Sequence, residues 1–169
     1  MSDVDADRVT VRRARPDDAA AWRELRLRAL ADAPTAFGST LAREQGWAPD
    51  IYAERLAAGN SVLAFAGDLP IGLGAGFEHP VGWFRVVSIW VDPDFRRRGA
   101  NRLILDELVS RAHELGLRVH LDVTRGNDVA RRAYERSGFV GTGESQPLRE
   151  GSPYVAERMV LVPGRSRRG

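Results

Sequence analysis

The run Arg96-Arg97-Arg98-Gly99-Ala100-Asn101 constrains this chain more than any other stretch. It joins a strand-like segment, Val86-Val87-Ser88-Ile89-Trp90-Val91, to a helical pattern that starts near Gly99 and carries Leu103, Ile104, Leu105 and Leu108. A basic, glycine-bearing turn that opens a helix is an anion site by construction. The first N–H groups of the helix have no intrahelical partner, and the helix dipole adds partial positive charge there. Glycine lets the backbone bend and lets a phosphate come close. The turn predicts a bound diphosphate or similar anion.

Composition narrows what can surround such a turn. At 169 residues the chain fits one domain with a sizeable core. Hydrophobic residues make up 43% and the mean hydropathy is −0.32, which fits a globular chain rather than a disordered one. No apolar run reaches the roughly 18–20 residues of a membrane span. The segment Met1 to Asp7 is acidic and polar, without a signal-peptide pattern. There is no cysteine, which excludes disulfides, thiolate metal sites and a cysteine nucleophile. A cytoplasmic location is the default expectation.

The net charge is only +2, and every basic residue is arginine. Basic residues concentrate at Arg96 to Arg98 and in the tail Arg165-Ser166-Arg167-Arg168. Neither has aromatics interleaved at a base-stacking spacing, which argues against a nucleic-acid surface. His79, His113 and His120 show no metal-ligand spacing, so no metal is expected.

Along the chain, strand and helix patterns alternate. Val9 to Arg13 alternates as a strand. Pro16-Asp17-Asp18 opens a helix with Trp22, Leu25, Ala29 and Leu30 on one face, and Pro34 ends it. Thr35 to Trp47 reads as a loop, followed by a short helix from Asp50 to Ala58. Val62 to Ala66 and Ile71 to Phe77 form a hairpin around Gly67-Asp68. Trp83 to Val91 is a strand. Ala100 to Leu115 is a helix with Ile104, Leu108, Ala112 and Leu115 inward, capped by Gly116. Leu117 to Val123, Phe139 to Gly143 and Tyr154 to Val162 are strands, and Asp128 to Arg136 is a helix. The expected organisation is a single domain over 9–163, with a disordered segment at 1–8 and a flexible basic tail at 164–169.

The block from Ile89 to Ala100 resembles the acyl-CoA-binding motif of the GNAT superfamily of N-acyltransferases, which reads R/Q-x-x-G-x-G/A after a V-x-P strand end. Asn101 departs from it, standing where the family has Gly or Ala. A second block, Asn127 to Phe139, resembles the family's N-x-x-A-x-x-x-Y-x-x-x-G-F motif. Either match alone would be weak, but the two stand in the family's order with a helix and strand between them. The resemblance covers Val9 to Val162. It implies an α/β fold with a mixed, mostly antiparallel central sheet flanked by helices. Two parallel strands, Trp83–Val91 and Leu117–Val123, are expected to splay apart for the cofactor. The pantetheine arm can then pair with their open backbone groups as an added strand would.

The resemblance also implies roles. Acetyl-CoA is the acyl donor and an amine the acceptor, with direct attack in a ternary complex. Arg96, Arg97, Arg98, Gly99, Ala100, Asn101 and Arg102 are expected around the diphosphate. Backbone at Ile89, Trp90 and Val91 orients the thioester, with the Trp90 side chain in packing. Asn127 caps its helix and touches the pantetheine arm. Tyr134 donates a proton or hydrogen bond to the leaving thiolate. A thiol of pKa near 8.5 leaves readily, and a phenol of pKa about 10 can still donate to it. The competing reading of Tyr134 is a packed aromatic with its hydroxyl at the surface.

The attacking amine must be neutral, so a base or a water relay is needed. Many relatives carry a glutamate on the strand before the turn, but Arg85 to Val91 has no carboxylate. Others carry it in an L-E-V triplet twelve residues before the tyrosine. Here Leu121-Asp122-Val123 stands at that distance, which makes Asp122 the first candidate base. Asp122 reads equally as a structural residue paired with an arginine or holding the chain near Asn127. Glu78 and His120 are the next candidates. Glu44, Glu144 and Glu150 are placed to attract a cationic amine. One rival reading is a non-catalytic acyl-CoA sensor on the same fold, and another is a nucleic-acid-associated protein. Homodimers are common among relatives.

Overall fold

Period-two patterning builds a seven-stranded sheet. The strands are β1 (Val9–Arg13), β2 (Ser61–Ala66), β3 (Leu69–Glu78), β4 (Trp83–Val91), β5 (Arg118–Thr124), β6 (Phe139–Pro147) and β7 (Val155–Leu161). The helices are α1 (Ala19–Asp32), α2 (Leu41–Gln45), α3 (Pro49–Ala57), α4 (Ala100–Glu114) and α5 (Asp128–Arg136). This computed structural model describes residues 8–164, so the expected flanking segments fall outside it except for Arg8 and Gly164. The strand order is β1-β2-β3-β4-β5-β7-β6. Every neighbouring pair is antiparallel except β4 and β5, which are parallel.

Each face of the sheet has its own core. On one face, Trp22, Leu25, Ala29 and Leu30 of α1 pack with Tyr52 and Leu56 of α3 against Leu63, Leu73 and Trp90. On the other, Ile104, Leu105, Leu108 and Ala112 of α4 pack against Val62, Ile71, Val86, Val119 and Leu121. Strand β3 presents glycines at alternate positions. A Cβ on Gly74 would sit 2.4 Å from Ile104 Cγ2, and one on Gly76 would sit 2.0 Å from the Phe84 ring. These glycines let α4 and Phe84 lie directly on backbone. That seating places the N-terminus of α4 just past the end of β4.

Three local readings change. The expected loop from Thr35 to Trp47 contains α2, whose first turn is capped by Thr40 Oγ1 accepting from Arg43 N. Leu115 is exposed rather than inward, because Gly116 already ends the helix there in the left-handed region. Strand β6 continues past Gly143, through an irregularity between Gly141 and Ser145.

Candidate active site

The parallel pair β4–β5 opens partway along. Pairing runs from Trp83–Arg118 to Val86–Leu121 and stops. Beyond it, the facing edges of Val87–Val91 and Asp122–Thr124 have no strand partner between them. A bulge widens the gap. Opposite Gly74 the β3–β4 register shifts, and Ser88 takes a left-handed φ of 63°. A non-glycine residue there is strained and needs support from its surroundings. Arg26 supplies it, donating from Nη1 to Ser88 Oγ at 3.0 Å. Arg26 is itself held by Glu44, at 2.7 Å from Nη2 to Oε1, and both are buried, at 9% and 1% exposure.

A cleft of about 510 Å³ fills this opening. Val86 to Ile89 and Leu121 to Thr124 form its floor, with Asn127, Ala130 and Tyr134 of the α5 region on one side. The α1–α3 segments, with Phe37 and Trp47, and the β6–β7 loop close the other side. The Tyr134 ring packs edge-on against Phe139, at 6.0 Å between centroids. Its hydroxyl has no hydrogen-bond partner among the described residues, and burial pushes its pKa up to about 12. It is a proton donor rather than a base. Asn127 caps α5, its Oδ1 accepting from Ala130 N at 3.3 Å, and it also lines the cleft.

The arginine turn lies just beyond β4. Arg97 and Gly99 take left-handed φ values of 65° and 80° on either side of Arg98. Two left-handed residues so close together turn the chain sharply, and Gly99 caps a helix whose first N–H groups have no intrahelical partner. The turn leads straight into the first turn of α4, where Ala100 is buried and Asn101 is exposed. Arg97 and Arg102 are exposed, with Arg102 4.0 Å from Asp106. Arg98 lies over the Phe95 ring.

Arg96 points elsewhere. Its Nε donates to the Val91 carbonyl at 3.0 Å and its Nη2 to Asp32 at 2.7 Å. Arg96 therefore braces the turn, and the Val91 carbonyl is already engaged. Trp90 packs in the core and donates from Nε1 to Asp32 at 2.9 Å. That indole N–H, with Arg96 behind it, holds the Asp32 carboxyl below the usual carboxylate range. Asp92 is also lowered, because hydrogen bonds from Arg28 and Asp94 N outweigh the upward push of burial. Together these contacts fix the end of α1 to the base of the turn.

Asp122 lines the cleft, but its oxygens are taken. Oδ2 accepts from Arg85 at 2.9 Å and Gln146 at 3.0 Å, and Oδ1 accepts from Arg158 Nε at 3.0 Å. Glu78 is exposed and accepts from Gly82 N in the β3–β4 hairpin, outside the cleft. His120 is buried, and its Nε2 donates to the His79 carbonyl at 2.6 Å. Burial holds this imidazole below its usual pKa. Its Nδ1 has no partner.

Of the three glutamates expected to attract a cationic amine, only Glu44 lines the cleft. Glu44 is sealed against Arg26, and Glu150 does not line the cleft. Glu144 lines a groove beside it that shares Asp122, Gln146 and Ala156 with the cleft. Sequence reasoning missed Arg26, Ser88, Arg85 and Arg149. Only Arg26 carried a signal. It stands four residues after Trp22 on the apolar face of α1, and a charge there needs a buried partner.

A family model for the acetyltransferase (GNAT) family matches residues 21–139. The chain belongs to the acetyltransferase (GNAT) family. Solved structures share the fold of this family member. Ard1 from Thermoplasma volcanium is 20% identical, with 91% of this chain and 98% of that chain covered and a TM-score of 0.69. The structure of yncA, a putative acetyltransferase from Salmonella typhimurium with its cofactor acetyl-CoA, is 18% identical, with 91% and 93% covered and a TM-score of 0.74. Arabidopsis thaliana Naa50, in complex with the bisubstrate analogue CoA-Ac-MVNAL, is 19% identical, with 91% and 98% covered and a TM-score of 0.65. No curated protein matches the chain. Among the described residues there is no cluster of three metal-ligating side chains, and no helix is long and apolar enough to cross a membrane.

Proposed function

We propose that this GNAT protein transfers an acetyl group from acetyl-CoA to an amine by direct attack in a ternary complex. One observation carries the reading. Beyond Val86 and Leu121 the two parallel strands expose unpaired backbone edges, the cleft over them is lined by Tyr134 with its unpartnered hydroxyl, and the arginine turn follows at the end of β4. An extended, amide-rich ligand with an anionic end suits this shape, as pantetheine diphosphate has both features.

In this reading, N–H groups of the turn and of Ala100, Asn101 and Arg102 hold the diphosphate, with Arg97, Arg98 and Arg102 adding charge. Backbone of Ile89 and Trp90 pairs with the pantetheine arm and thioester, and Asn127 borders the arm. The neutral amine nitrogen attacks the thioester carbonyl carbon. The C–N bond forms as the C–S bond breaks. Tyr134 protonates the departing thiolate, and the excess proton on the new amide nitrogen returns to the phenol oxygen through water. The products are an amide and free CoA. Asp122 acts through its partners, fixing Arg85 in the cleft wall and Arg158 in the groove beside it.

Titration calorimetry with CoA tests the assignment of the turn. Gly99→Asp puts a side chain on a left-handed residue and a negative charge where phosphate sits. CoA affinity should fall by at least about tenfold, roughly the loss of one charge-assisted hydrogen bond. A folded variant that binds CoA like wild type would contradict the assignment.

A further inference from the structure

The acceptor side of the cleft carries an excess of positive charge. Five arginines line the cleft, Arg26, Arg43, Arg55, Arg85 and Arg149, against two carboxylates, Glu44 and Asp122. Both carboxylates are already spent, Glu44 on Arg26 and Asp122 on Arg85 and Arg158. Arg43, Arg55 and Arg149 have no carboxylate partner among the described residues. Arg43 and Arg55 lie over the Trp47 ring, at 6.0 Å and 4.3 Å from its centroid. All three sit on the wall made by α2, α3 and the β6–β7 loop. The arginine turn is not part of that wall, since no residue from 96 to 102 lines the cleft.

Two buried donors in the same cleft also lack partners. Ser39 Oγ and Arg85 Nε are shielded from solvent and bond to nothing. A buried donor without an acceptor is costly, and a ligand oxygen would relieve it. The cleft is also strapped. Arg149 Nη1 donates to the carbonyls of Phe37 at 3.0 Å and Pro34 at 3.4 Å, and Thr124 Oγ1 donates to the Thr35 carbonyl at 2.7 Å. A Cβ on Gly38 would stand 3.5 Å from the Leu148 carbonyl, so the two loops nearly touch.

We infer that the acceptor is a small amine bearing its own anionic group, a carboxylate or a phosphate. This rests on the acetyl-transfer reading above and names the substrate class of that site. Guanidinium forks match both anions, and three without a carboxylate partner stand on one wall, Arg149 with its Nη1 already given to the strap. The same charge acts on the amine. Neighbouring cations disfavour its ammonium form, so the amine binds neutral without a carboxylate base beside it. A polyamine would meet like charge, and both carboxylates that line the cleft are already paired. A polypeptide N-terminus would have to part the strapped loops.

The test is an acetylation assay with acetyl-CoA and matched acceptors. It compares free L-amino acids with their carboxamides, and phosphoethanolamine with ethanolamine. Spermidine and a C-terminally amidated tetrapeptide complete the set. At least one acid-bearing amine should exceed its neutral counterpart in kcat/KM by about tenfold or more, the worth of a charge-assisted contact. Whether amino acids or phosphoethanolamine lead says which anion the wall prefers. Arg55→Gln should raise KM for that acceptor about tenfold, while kcat, CoA affinity and KM for the neutral counterpart hold. Preference for carboxamides, spermidine or the peptide would overturn the inference and leave acetyl transfer standing. Loss of CoA affinity in Arg55→Gln would also overturn it, by giving that wall to the cofactor. Absence of turnover with every amine, despite CoA binding, would remove the transfer reading and this inference with it.

Discussion

Tyr134 is the residue on which the proposed chemistry turns. Burial raises its pKa to about 12, and a raised acid pKa keeps the donor form present at every pH below it. Tyr134→Phe keeps the ring against Phe139 and removes only the hydroxyl. CoA affinity should survive, and the rate of acetyl transfer should drop roughly 10²-fold. The wild-type rate should rise with pH as the amine loses its proton, then hold a plateau to about pH 10 rather than fall. A full-rate Phe variant, or a descending limb below that pH, would contradict the donor role. At this scale the sequence was partly legible. The cap at Asn127 follows from its local context. The saturation of Asp122 does not, because Arg85 and Arg158 lie 37 and 36 residues away along the chain and meet it only across β4, β5 and β7.

At the scale of elements, α1 braces the site at two points along the C-terminal half of β4 and its turn. Arg26 supports the strained Ser88, while Asp32 accepts from Trp90 and Arg96 below the turn. Glu44→Gln would leave the Arg26 guanidinium buried without its counter-charge. Unfolding free energy should fall by about 3–5 kcal/mol, and Arg26→Met combined with Glu44→Leu should recover most of it. Urea unfolding measures both, and a loss under about 1 kcal/mol for Glu44→Gln would show the pair to be solvated. Most elements were legible because their periodicity and breakers are local: β1, β2 and β4, the cores of α1 and α4, and α5. The exceptions have physical reasons. Helix α2 is only five residues long and too short for a periodic signal. Ser88 is an ordinary residue made unusual by the bulge facing Gly74, which only the paired strand reveals.

Across the whole molecule, the site is a consequence of topology. A single parallel pair in an otherwise antiparallel sheet leaves two strands free to diverge, and the glycines of β3 seat α4 so that its N-terminus meets the open end. The order of elements and the family were legible from two motifs. The charge of the acceptor wall was not, since it gathers arginines from α1, α2, α3, β4 and the β6–β7 loop, and of the three glutamates only Glu44 lines the cleft, paired with Arg26. The central claim is that these parts together move an acetyl group. The most direct measurement incubates the wild-type protein with acetyl-CoA and a panel of amines, and follows free CoA thiol and acetylated amine together. The account predicts that both appear in equal amounts, only when protein and a suitable amine are present. Binding of acetyl-CoA with no thiol released above the amine-free rate, for any amine in the panel, would contradict it and leave a protein that holds the cofactor without using it.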